Sequence, residues 1–405
     1  MFGSIYIGLS GLNAYSRGLQ MVSNNVTNLN SQGFKSSTVN FRDLFGAQGD
    51  GGLSFSSGQG PAGHGVEVGG SHYDMGQGEL RQTNRDLDLA VDGSGFLMLM
   101  RGEEVAYTRT GSFEVDKDGY IVLAGTEYRL AMLDPSGHPV NVSINGFRSS
   151  EPKATTTVKF ANNLSADATT AGTGGAVDTP VTVPDIKVYD KNGSARTWKV
   201  SFTKDPSVAG QWSVKVTDDK GASIDAQALK FIAGKPDPAT AKLTFTDTRG
   251  DTDTTNDLSV SLDFSSITSY SGGNTLSAAS VDGIELGSLT SVRVNDKGEL
   301  ELGYSNSQKN QLGAVAVADF QDPSALKQRS GGLFTDSGSA GRQLMATADP
   351  RGGNVVSKRL EASNVDLSAE FGNLILIQRG FQASSQIISV SNDMIQQLFG
   401  IRGQG

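Results

Sequence analysis

The most constraining feature of this chain is a pattern shared by its two ends and absent from its middle. Residues 4–30 carry apolar side chains at Ile5, Leu9, Leu12, Leu19 and Val26, and residues 366–399 carry them at Leu367, Phe371, Leu374, Phe381, Ile388, Ile395 and Phe399. Both sets step largely by three, four or seven, the spacing of a coiled-coil seam. The long stretch between them is rich in Gly, Thr, Ser and Asp and reads as β-structure. Termini that pair while the centre loops out suit a subunit that stacks into a tube. The expected fold class is therefore mainly β with paired terminal α-helices, an inner β module being interrupted by an inserted outer β module.

The boundaries follow from shifts in pattern. Residues 1–35 and 362–405 form the expected terminal helical assembly domain, with Ile5 to Val26 and Leu367 to Phe399 as its axial packing residues. Gly8, Gly11 and Gly18 each weaken the first helix by roughly 1 kcal/mol relative to Ala. That helix is expected to order only against packing partners in an assembly. Residues 36–70, Gly/Ser-rich, read as an extended linker. Alternating runs at 86–93, 96–100, 104–116 and 120–125 give a first β domain over 71–148, resumed at 284–361. A second set of strands, with turns at KNGS and DDKG, gives an inserted outer β domain over 149–283. The C-terminal helix is expected to be capped by Asn364 or Asp366. Polar residues interrupt the stripe at Gln378, Ser385 and Asn392, and at Ser16 and Ser23, which would fix register at a cost in stability. Ile375, Leu376 and Ile377 leave the second helix apolar on more than one side, as in a helix buried among others.

Several function classes are disfavoured. A net charge of −9 and a pI near 5.0 argue against a nucleic-acid partner. There is no cysteine, so disulfides, thiolate metal sites and thiol nucleophiles are out. No run reaches the roughly 18 apolar residues of a membrane span, and the N-terminus lacks the parts of a cleaved signal peptide. His64, His72 and His138 read as loop residues at neither metal nor triad spacing, and no G-x-S-x-G or phosphate-binding loop is present. The carboxylate run 247–257 lacks the Gly and Glu of a calcium loop and reads as a solvated turn. No catalytic, cofactor or metal site is expected, and the chain is not read as an enzyme.

Ser10-Gly11-Leu12-Asn13, then Asn24-Asn25-Val26-Thr27-Asn28 leading to Gly33-Phe34-Lys35, resembles the N-terminal motif of the bacterial flagellar rod and hook protein family. Gly76-Gln77-Gly78-Glu79-Leu80, Gly93-Ser94-Gly95-Phe96 and Tyr107 to Phe113 are similar to its next signatures. Leu360-Glu361-Ala362-Ser363-Asn364-Val365-Asp366-Leu367 matches its C-terminal entry motif, while Gly380 stands where the family carries a bulkier residue. Val188 to Gly193 with Trp198 and Phe202, then Gly303 to Asn306 and Leu312-Gly313, resemble the members that build the hook rather than the shorter rod proteins.

The resemblance implies a subunit that self-assembles into a curved flexible tube, a universal joint carrying motor torque from rod to filament. It further implies a homo-oligomeric helical polymer, with flagellar rod, hook cap and hook–filament junction proteins and the type III export apparatus as partners. The expected location is the extracellular flagellar hook, reached without a cleaved signal peptide, with no nucleic acid and no membrane insertion. The alternatives are a rod or hook-like axial paralogue and, more remotely, a secreted β-rich adhesin.

Overall fold

Two helices at opposite ends of the chain bracket a long succession of strands. The computed structural model describes residues 2–43, 65–70, 72–167, 180–248, 257–346 and 351–402. Helix α1 spans Phe2–Thr27 and helix α2 spans Leu367–Arg402. The second has 36 residues, about 54 Å at 1.5 Å per residue. The fold is mainly β with one helix at each end. The chain forms two compact units, one of Met1–Asn145, Val292–Leu302 and Asn310–Gly405, the other of Gly146–Ser291 and Gly303–Lys309.

In the unit that holds the helices, strand Phe96–Arg101 folds back on Glu104–Thr108 through a turn at Gly102 and also pairs with Lys309–Phe320. Strand Asp88–Asp92 lies between Thr110–Val115 and Asn354–Ser357. Simple alternation does not describe these strands. Leu89, Ala90 and Val91, and Phe96 through Leu99, are each at most 2% exposed. Both faces of the sheet are covered here, so an outward polar set is lost. On one face Phe96 packs edge-on against Phe320 and Phe334, at 5.5 and 5.6 Å between centroids.

The other unit does alternate. Its five-stranded antiparallel sheet runs in the order Val181–Tyr189, Ala195–Lys204, Gln211–Thr217, Ser223–Ile232, Lys235–Pro236. A four-stranded sheet of Lys242–Asp247, Leu258–Thr268, Thr157–Asn163 and Ser277–Val281 faces it. Trp198, Phe202 and Trp212 from the first sheet share one core with Phe160, Phe245 and Phe264 from the second. Here Ala195–Lys204, Gln211–Thr217 and Lys242–Asp247 each show one face to that core, and the period of two survives.

The expected hairpin turns form by one repeated device. Asp116, Asp190, Asp218 and Asn295 each accept, through a side-chain oxygen, the amide of the residue four positions on. The intervening Gly119, Gly193, Gly221 and Gly298 have φ between 69° and 82°, a region a Cβ disfavours.

The expected linker differs at both ends. Ser37–Thr38 pairs with His72–Tyr73, which places His72 in a strand rather than a loop, and Phe41–Asp43 pairs with Val66–Val68. Residues 44–64, with His64, lie outside the described residues, as do 249–256 of the carboxylate run. His138 is exposed, 3.8 Å from Asp134.

Candidate functional site

Helix α1 finds its packing partner within the same chain. It runs antiparallel to α2, with Ser4 opposite Ser391, Gly11 opposite Ser384, Gly18 opposite Ile377 and Asn25 opposite Glu370. Each step is one heptad, so each helix presents a single column. A Cβ at Gly8 would lie 2.7 Å from Ile388, and one at Gly11 would lie 2.5 Å from the Ser384 hydroxyl. The glycines that weaken α1 in isolation are thus what lets the helices approach. Hydrogen bonds close both ends of the seam: Ser391 Oγ to Ser4 Oγ at 3.4 Å, and Asn25 Nδ2 to Glu370 Oε1 at 2.8 Å.

The apolar stripes flank this seam. Ile5, Leu12, Val26, Leu374, Ile388 and Ile395 are half-buried, while Leu9, Leu19, Leu367, Phe371, Phe381 and Phe399 are exposed. The polar positions within the contact are Ser4, Asn25, Glu370, Ser384 and Ser391, whereas Ser23, Gln378, Ser385 and Asn392 face outward. Leu376, Ile387, Val390, Met394 and Leu398 are exposed as well, between 40% and 68%. The last four recur at three- and four-residue steps, making a continuous apolar face that no part of the described chain covers.

Where the helices join the β-structure, the motif residues converge. Asn28 Nδ2 donates to the Asn24 carbonyl at 2.9 Å and helps close the end of α1. Gly33, at φ 64°, turns the chain and donates its amide to the Glu361 carbonyl at 2.8 Å, with Phe34 buried beside it. Asn25 is 1% exposed; besides Glu370, its Nδ2 donates to the Ser37 carbonyl at 2.8 Å and its Oδ1 accepts the Ser37 amide at 3.0 Å. Asn364 does not cap α2. Its Oδ1 accepts the Ser36 amide at 2.8 Å and its Nδ2 donates to the Asp74 carbonyl at 2.8 Å. The cap is Asp366, whose Oδ1 accepts the Ser368 amide at 2.8 Å. Ser363 Oγ accepts the amide of buried Val365 at 3.4 Å.

Beneath this clamp lies a buried charge cluster. Glu361 is 0% exposed; its Oε1 accepts from Lys35 Nζ at 2.6 Å and the Gly78 amide at 2.8 Å, and its Oε2 accepts from Arg109 Nε at 3.2 Å. Lys35 also donates to the Gly76 carbonyl, and Arg109 to the carbonyls of Gly95 and Gly93. Burial pushes the Lys35 and Arg109 pKa values down, and the Glu361 carboxylate only partly opposes it. Two cations and one anion therefore share a site shielded from water, and three backbone carbonyls accept further donors from the cations. This arrangement has no nucleophile–base geometry. What it can do is fasten residues 33–37, 74–78, 93–95, 109 and 361–364 to one another.

Four family models match the chain. One described as flagella basal body rod protein matches residues 5–35. One described as the flagellar hook protein FlgE/F/G D1 domain matches 90–201, and one described as the flagellar basal body protein FlaE D2 domain matches 163–284. The fourth, flagellar basal body rod FlgEFG protein C-terminal, matches 356–401. The flagellar hook protein FlgE of Escherichia coli K12 is 30% identical over 97% of this chain and 98% of its own. That of Salmonella typhimurium is 29% identical with the same coverage, and that of Treponema pallidum 26% identical over 99% of this chain and 100% of its own.

Proposed function

This chain belongs to the flagellar hook protein family, and we propose that its helix pair is the element through which copies self-assemble into the hook, the curved flexible tube joining rod to filament. The observation that carries this reading is the apolar face of α2 at Ile387, Val390, Met394 and Leu398, with Phe371, Phe381 and Phe399 exposed on the same helix. Burying one such side chain contributes about 1.5–3 kcal/mol. Several per subunit, against neighbouring copies, give strong axial contacts.

In this reading residues 1–35 and 362–405 line the inner tube, 71–148 with 284–361 form the next layer and 149–283 the outermost. The outermost surface is polar, so its contacts between copies are wet and each exposed pair contributes only about 0–1 kcal/mol. Strong inner and weak outer contacts resist twist and allow bending. Rod, hook cap and hook–filament junction proteins are the neighbours, and type III export delivers the subunit outside the cell. Replacing Ile387, Val390 and Met394 together by Ser tests the assembly role. The secreted chain should keep the tryptophan fluorescence and circular dichroism of the parent yet form no hooks. Hooks of normal length from that variant would refute the role of this face.

A further inference from the structure

A seam of small residues leaves its own register loosely defined. Slid by one heptad, Gly11 would meet Ile377 or Ser391, and Gly18 would meet Glu370 or Ser384, so these two glycines alone set no strict register. The clamp between residues 33–37 and 361–364 and the Asn25–Glu370 bond set the register at one end, and a steric stop further along the seam would hold it there as well.

We propose that Tyr15 seated on Gly380 is the register lock of the helix pair and the feature that selects which second helix the first can accept. Gly380 lies under the Tyr15 ring: a Cβ there would run into ring atoms Cζ, Cε1 and Cε2. Phe41 packs on one side of the ring, with centroids 5.4 Å apart and planes at 47°, and narrows the directions in which it can swing away. Phe41 is itself fixed in the strand pair Phe41–Asp43 with Val66–Val68, and that pair is tied to α1 where the Val66 amide donates to Ser10 Oγ at 3.2 Å. The ring is thus a knob of set direction, and position 380 is its hole. A one-heptad slip would place Asn373 or Ile387 beneath it, and both carry side chains where the ring now sits. Gly372, the neighbouring glycine of α2, has open space around it and offers no such hole. The asparagine–glutamate bond at the end of the seam rewards the native register, whereas Tyr15 penalises the others, including an α2 with a larger residue at this place.

The lock is a property of one chain, and only its consequence for hooks rests on the assembly reading, so the test has two arms. The chain has no cysteine, so a Ser4→Cys/Ser391→Cys pair, at hydroxyls 3.4 Å apart, reports the native register by disulfide formation in the purified full-length protein. The parent pair should cross-link. Adding Gly380→Leu should lower the cross-linked fraction roughly tenfold or more, as overpacking does, and adding Tyr15→Ala to that variant should restore it to within about twofold. Failure of the parent pair to cross-link, undiminished cross-linking with Gly380→Leu, or no rescue by Tyr15→Ala would each overturn the lock. In the second arm the same substitutions, without the cysteines, are placed in a strain lacking the chain. Gly380→Leu should leave rods without hooks, and the double variant should return them. Rescue of cross-linking without rescue of hooks would leave the lock standing and count against the assembly reading.

Discussion

Replacing Glu361 by Gln removes the one anion from a site that holds two buried cations. Lys35, Arg109 and Glu361 carry a combined charge of +1 at 0%, 1% and 0% side-chain exposure. In Glu361→Gln that becomes +2, and the amide turns a donor toward either Lys35 Nζ or Arg109 Nε. Breaking a buried pair in this way costs about 3–5 kcal/mol. For a unit of this size each kcal/mol lowers Tm by about 2–4 °C, so the expected fall is about 6–20 °C. Lys35→Met is the informative contrast. It lowers the buried charge to zero, leaves Glu361 its bonds to Arg109 and the Gly78 amide, and leaves the Gly76 carbonyl the Asn364 Nδ2 donor at 3.2 Å. It should therefore cost clearly less than Glu361→Gln. Thermal unfolding followed by far-ultraviolet circular dichroism measures both. The two tryptophans, Trp198 and Trp212, belong to the Gly146–Ser291 unit and supply a separate signal. Glu361→Gln should lower the dichroism transition and leave the tryptophan transition in place. A melt unchanged within about 1 °C, against the several degrees expected, or a larger loss in Lys35→Met, would refute the charge-balance reasoning.

Gly221 and Gly193 occupy equivalent turns with φ of 82° and 78°, but only Gly193 has neighbours, Pro152 Cβ at 2.7 Å from a built Cβ and the Leu286 amide at 3.0 Å. Gly221→Ala should therefore cost only the backbone term of about 1 kcal/mol, and Gly193→Ala more, in urea melts read by tryptophan fluorescence; equal losses would contradict this. Burial pushes the Asp282 carboxyl up, but the Thr156 hydroxyl, the Thr157 and Thr156 amides and the Lys153 charge together hold it below the usual carboxylate range. Its folded pKa is thus lower than its unfolded one, so its contribution is present above the ordinary carboxylate pKa and lost as pH falls through the folded value. Asp282→Asn should flatten the acid limb of the tryptophan-detected stability profile, and an equally steep acid loss in that variant would exclude the assignment. Asn25→Asp sets a second carboxylate against Glu370 and removes the donor that now bridges them at 2.8 Å. Hook counts per cell should fall sharply, and unchanged counts would show that this end of the seam is dispensable.

The helices and the β character are legible in the sequence because each has a period, and burial on one face enforces it. The seam is not, because periodicity counts large apolar side chains, and on α1 this contact is made largely by glycine, whose small size admits Ile377, Ser384 and Ile388 of α2. Ile5, Leu12, Leu19 and Val26 form the column beside Ser4, Gly11, Gly18 and Asn25, so reading apolarity alone selects the neighbour of the true contact. Gly380 looks like a weak point in a helix until Tyr15 is seen lying on it. Arg109 sits inside a quoted motif, yet its partner Glu361 is 252 positions away and only the fold brings them together. Glu370 lies in the first turn of α2 and accepts a hydrogen bond from Asn25 of α1, 345 positions away in the chain. The strands 89–91 and 96–99 lose their alternation because both faces are buried, which no property of the segments themselves announces.

The central claim, that this chain is the subunit of the hook, is tested most directly by electron microscopy of basal bodies isolated from a strain lacking it. The account predicts complete rods that end without a curved hook, with hooks restored when the chain is supplied again. Intact hooks in that strain, or rods that stop short, would contradict it.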